Sequence, residues 1–118
     1  MAAEIYLNIY DISCLNSFLN CFGIGAYHTG VQIDNTEYMF GADDEYETGV
    51  CTCNPKWTAY PFRESIYMGK CTMDQAEIAE VISDLMIDYI GTSYDIFKRN
   101  CNHFANELCV KLLNKTIP

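Results

Sequence analysis

Basic residues are scarce in this chain: seven lysines and arginines stand against sixteen aspartates and glutamates in 118 residues, for a net charge of −9. A surface of that sign repels nucleic-acid phosphates and anionic lipid, so neither is an expected partner. A neutral or basic protein suits it better. No stretch approaches the roughly 20 apolar residues of a membrane span. The opening "MAAEIYLNIY" carries neither a basic n-region nor an apolar h-region, so no secretion signal is expected. Repeats, low-complexity tracts and linkers are missing too, and 118 residues suffice for one core; a single domain over 1–118 is the expectation. The cysteines are seven, an odd number without framework spacing. That favours free thiols in a reducing compartment, the cytoplasm first and the nucleus second.

Half the residues are hydrophobic, enough to bury a core. "EIYLNIYDI" alternates, with Ile5, Leu7 and Ile9 on one face, and reads as a strand. Leu15, Phe18, Leu19 and Phe22 recur at helical spacing before the glycines of "FGIGAY". "YHTGVQI" and "TEYMF" flank Asp34-Asn35 as a hairpin, and "FRESIYMG" reads as another strand. Ala42 to Tyr60 reads as loop, acidic at "DDEYE" and bearing "CTCNP". Thr72 with Gln75 forms a capping-box pattern ahead of a helix bearing Ile78, Val81, Ile82, Leu85 and Tyr89, which Gly91 ends. A last helix starts at an Asn100 cap, with Cys101, Phe104, Ala105, Leu108 and Leu112 on its inner stripe. The expected class is α+β, a small antiparallel sheet packed by helices.

Chemistry concentrates in "YDIFKRNCNHFANEL". Cys101 falls on the first turn of the last helix, where unpaired backbone N–H groups and the dipole favour negative charge. Lys98 and Arg99 act in the same sense. A thiolate is the reactive form of cysteine, and the same N–H groups could hold an oxyanion. The bland alternative is a small hydrophobe topping a core stripe.

Only two histidines could serve as base. His103 lies two residues from Cys101 on the same helix, and such pairs do not face each other, so it suits a cap or the helix surface. His28 opens a strand on the face opposite Thr29, Val31 and Ile33, with Gly30 leaving room beside it. It is the candidate general base, against the commoner structural histidine. In the hairpin register Glu37 sits opposite Gln32, too far along the strand to orient His28. A Cys-His dyad is expected, with Asp43 or Asp44 as the sole candidates for a third member.

"YHTGVQIDNTEYMFG", followed by "YDIFKRNCNHFANEL" and preceded by a strand ending in "YDIS", resembles the PPPDE family of desumoylating isopeptidases. The likeness spans nearly the whole chain. It implies a permuted papain-like fold in which the histidine precedes the cysteine. It also implies a cysteine isopeptidase that removes ubiquitin or a SUMO-like modifier from lysine, with Cys101 as nucleophile and His28 as base. No cofactor or metal is implied, and a homodimer is. The acidic "ADDEYETGVCTC" replaces a glycine-bearing loop typical of the family, a rim that suits the basic face of ubiquitin.

Thioester hydrolysis, as in protein depalmitoylases, is the alternative within the family. "RNCNHFANEL" also resembles the lecithin:retinol acyltransferase signature, but Phe40 and Gly41 stand where that family has a second histidine, and no C-terminal anchor is seen. A non-enzymatic module would not need both Cys101 and His28. Cys51 and Cys53 in C-x-C spacing are a poor zinc pattern and read as small loop residues. Trp57 reads as a core-edge aromatic or a groove lining.

Overall fold

A computed structural model describes residues 2–11, 27–41, 48–58, 60–95 and 98–118. The expected helix around Leu15–Phe22, the glycines after it, and Asp43 and Asp44 lie outside those residues.

The alternating segments become five antiparallel strands: β1 (Ala3–Asp11), β2 (Tyr27–Ile33), β3 (Thr36–Phe40), β4 (Val50–Cys53) and β5 (Phe62–Cys71), in the order β4-β3-β2-β1-β5. Two helices follow, α1 (Gln75–Asp88) and α2 (Cys101–Leu113). This is the α+β class expected. The β2–β3 hairpin turns at Asp34-Asn35, with Asp34 at φ 51, in the expected register: Ile33 opposite Thr36 and Gln32 opposite Glu37.

Two expectations give way. "VCTC" is a strand, not loop, because its backbone pairs with β3, setting Cys51 opposite Met39 and Cys53 opposite Glu37. The first helix is capped by Asp74 and Glu77 rather than Thr72 and Gln75. The Asp74 carboxylate accepts from the Glu77 N–H at 2.8 Å, and Glu77 accepts from the Asp74 N–H at 3.1 Å. The same x-x-E/Q spacing occurs twice, two residues apart, and a carboxylate caps more strongly beside the helix dipole. The helix closes at Tyr89, leaving Gly91 to a short 3-10 turn.

Alternation gives the sheet two faces. Leu7, Val31 and Phe40 pack with Phe104, Ala105 and Leu108 of α2 in the main core. On the reverse face Asn8, Tyr10, His28 and Glu37 are also buried. Phe40, Tyr89, Tyr94 and Phe104 stack in one aromatic cluster, with ring centroids 4.9 to 6.4 Å apart. Among the described residues no helix is long and apolar enough to cross a membrane.

Candidate active site

The start of α2 is built as its sequence suggests. Asn100 is the N-cap, extended at φ −119 and ψ −172, and its Oδ1 accepts from the Asn102 and His103 N–H groups at 3.0 and 3.3 Å. His103 completes the box, its Nδ1 accepting from the Asn100 N–H at 3.1 Å. Capping is thus its role, as the two-residue spacing suggests. Cys101 is buried, 3% exposed, at the head of the stripe Phe104, Ala105, Leu108 and Leu112.

Two contacts fasten this helix start to β2. The Thr29 hydroxyl donates to Asn102 Oδ1 at 2.8 Å, and Asn102 Nδ2 reaches the Tyr27 carbonyl at 3.5 Å. The Cys101 thiol approaches the same carbonyl at 4.0 Å. The sulfur therefore lies beside the residue that precedes His28, although 73 positions separate Cys101 from His28 (101 − 28).

The imidazole faces away from α2. His28 Nε2 is 3.3 Å from Met39 Sδ, and its ring lies 5.7 Å from Tyr10 and 5.2 Å from Tyr60. Among the described residues no hydrogen bond joins it to the thiol. Burial lowers its pKa below 6.5, against a smaller upward pull from the Glu37 charge. Burial thus favours the neutral form of the ring.

Glu37 reaches further than its register suggests. Its fully buried carboxylate accepts from Asn8 Nδ2 at 2.6 Å, from the Tyr10 hydroxyl at 2.6 and 2.8 Å, and from the Lys56 N–H at 3.0 Å. It does so by leaning across Gly30, where any Cβ would collide with it. Glu37 does not hydrogen-bond His28; it anchors Tyr10, the ring packed against His28. Burial and then the Glu37 hydrogen bond push the Tyr10 phenol well above its ordinary range.

Of the two basic residues before the thiol, Arg99 is engaged with the end of α1. Arg99 donates to the Asp88 carbonyl at 2.8 Å, pairs with the Asp88 carboxylate at 3.3 Å and stacks on Tyr89 at 4.0 Å. It ties α1 to the approach of α2, because the last turn of α1 has no basic residue of its own. Trp57 is 76% exposed and no core-edge residue; its neighbour Lys56, at φ 67, turns the chain so that the indole projects outward.

Sequence reading passed over Tyr60 and Tyr94. Tyr60 packs on His28 and also acts electrostatically on Tyr94. Tyr94, its ring packed on Phe40, has its phenol pushed above the ordinary value by burial first and the charge of Cys101 next. Their signal was an aromatic seven residues before the cysteine and another in the strand approach, patterns common to core residues. A concavity of about 710 Å³ lies at the hairpin end between Tyr6, Gln32, Met73 and Ile82, and neither His28 nor Cys101 lines it.

Residues 3–118 match the family described as "PPPDE putative peptidase domain". A DeSI-like protein of Arabidopsis thaliana is 36% identical over 97% of this chain and 51% of its own length. A DeSI-like protein of Schizosaccharomyces pombe is 33% identical over 98% and 60%, and a desumoylating isopeptidase 1 homolog of Caenorhabditis elegans 32% identical over 97% and 36%. The chain thus spans between about a third and three fifths of the length of these curated relatives. Capped cysteine helix, histidine strand and whole-length match lead to one conclusion: this chain belongs to the PPPDE peptidase-domain family.

Proposed function

We propose that this chain is a cysteine isopeptidase that removes a ubiquitin-like modifier, SUMO in the first place and ubiquitin in the second, from target lysines. The observation that carries the reading is Cys101 on the first turn of a capped helix, its sulfur 4.0 Å from the carbonyl of the residue before His28. The relatives' names supply the substrate class, since several are called desumoylating isopeptidases.

In this reading His28, neutral because it is buried, leaves Met39 and turns toward the sulfur as substrate enters. It takes the thiol proton, and Cys101 attacks the carbonyl carbon of the modifier's C-terminal glycine. The imidazolium then protonates the departing lysine amine, and water hydrolyses the thioester. No cofactor takes part. The reaction runs in the cytoplasm or nucleus, where the thiol stays reduced. A homodimer is the assembly the family resemblance suggests.

Cys101→Ser tests this, assayed on SUMO and ubiquitin carrying C-terminal aminomethylcoumarin and on an S-acyl peptide. Hydrolysis of a modifier substrate should vanish with the thermal midpoint unchanged. Wild-type rates in Cys101→Ser would sink the reading, and hydrolysis of the S-acyl peptide alone would make the chain a thioesterase.

A further inference from the structure

Two kinds of contact hold α2 to β2, and they do different work. Val31 shares the main core with Phe104, Ala105 and Leu108, and apolar contacts of this sort have no direction. A hydrogen bond does, because it weakens steeply away from its preferred distance and angle. The polar ties therefore decide where the helix start sits against the strand, and both come from Asn102, the residue after Cys101.

The partners of Asn102 are the two residues that flank His28. Its Oδ1 accepts from the Thr29 hydroxyl at 2.8 Å, and its Nδ2 donates to the Tyr27 carbonyl at 3.5 Å. An amide suits this pair of partners, since it carries an acceptor and a donor side by side. Thr29 is 5% exposed, and its branched side chain has little freedom to swing away. Asn102 is held from behind as well, its N–H donating to Asn100 Oδ1 at 3.0 Å. The Tyr27 carbonyl that takes Nδ2 is also the group the Cys101 thiol approaches at 4.0 Å. A tie serving stability alone could lie anywhere along α2 and β2. This one straddles the histidine and adjoins the cysteine.

We propose that Thr29 and Asn102 are positioning residues, whose hydrogen bond fixes the Cys101 end of α2 against the backbone that carries His28. The proposal rests on the isopeptidase reading above. Proton transfer from the thiol needs the two side chains within hydrogen-bond reach, and a misplacement of about 1 Å can cost about 10²-fold in rate. His28 must also rotate away from Met39 to meet the sulfur, and the backbone on either side of it has to stay still meanwhile. Asn102 holds that backbone on both sides. Neither Thr29 nor Asn102 gains or loses a proton, and neither touches substrate.

Thr29→Val deletes the hydroxyl and keeps the branched shape, Thr29→Ser keeps the hydroxyl, and Asn102→Ala removes the other end of the bond. Wild type, these three and the Thr29→Val/Asn102→Ala double variant are compared on the SUMO and ubiquitin coumarin substrates. Rates are taken well below each thermal midpoint, so that every protein is folded. Thr29→Val and Asn102→Ala should each lower kcat about 10–10²-fold with little change in KM. The double variant should be no slower than the slower single one, because both remove the same tie. Thr29→Ser should recover most of the loss. A lowered thermal midpoint with kcat within about threefold of wild type overturns the proposal, since the bond would then serve the fold alone. A raised KM with kcat unchanged also overturns it, because Thr29 or Asn102 would then be binding the modifier. If Thr29→Val does not fold, Asn102→Ala carries the same expectation and the same refutation. Wild-type protein that hydrolyses neither substrate removes the isopeptidase reading, and this proposal with it; active wild type with equally active Thr29→Val and Asn102→Ala removes the proposal alone.

Discussion

At the scale of single residues, burial decides what His28 can do. Its imidazole is 9% exposed and its pKa is lowered by that burial. A depressed histidine leaves a signature in stability as well as in activity. As pH falls through 6.5, the unfolded chain gains a proton that the buried ring resists, so the folded state loses stability until the lower, folded value is passed. Wild type should therefore show a thermal midpoint that declines below about pH 6.5, and His28→Asn a flatter profile over that window. Parallel profiles from calorimetry would mean that His28 is solvated in the folded protein. Among the described residues the groups facing it are Tyr10, Met39 and Tyr60, with Glu37 acting through space, and none of these is a histidine.

At the scale of elements, caps and ladders set positions that side-chain patterns alone leave open. Asn100 satisfies two backbone donors, so Asn100→Ala should cost about 1 kcal/mol by denaturant titration, while Asn100→Asp should keep most of that stability. An unchanged midpoint in the alanine variant would mean that His103 alone holds the helix start. The start of α2, the hairpin register and the alternation of β2 were legible because each is a short-range pattern: a cap, a two-residue turn, a period of two. The α1 cap was misread because two overlapping capping patterns differ by two residues, and the Asp74 carboxylate is the stronger cap beside the helix dipole. Strand β4 was missed since its pairing with β3 is non-local and "VCTC" is too short to show a period. Glu37 was judged by its Cα position, whereas its side chain crosses Gly30 to reach Tyr10. The place of Tyr94 against Phe40 was invisible for a similar reason, because that ring contact is between residues far apart in the chain.

At the scale of the whole molecule, the aromatic cluster of Phe40, Tyr89, Tyr94 and Phe104 joins β3, the end of α1, the connecting turn and α2. Phe104 is 1% exposed, so Phe104→Ala should cost about 3–5 kcal/mol. Sheet and helices should still melt together, with far- and near-ultraviolet circular dichroism coinciding in wild type and variant. Separate transitions would show that the helices fold apart from the sheet. The outer strand β5 carries a different consequence. Its ladder with β1 slips at Ile5/Tyr6 and again at Ile9/Tyr10, and Gly69 on it sits at φ 132. Irregularities of this kind add twist and curl a sheet margin. Tyr67 can therefore stand half-exposed on that margin without offering a flat rail on which further copies of the chain could stack into fibrils.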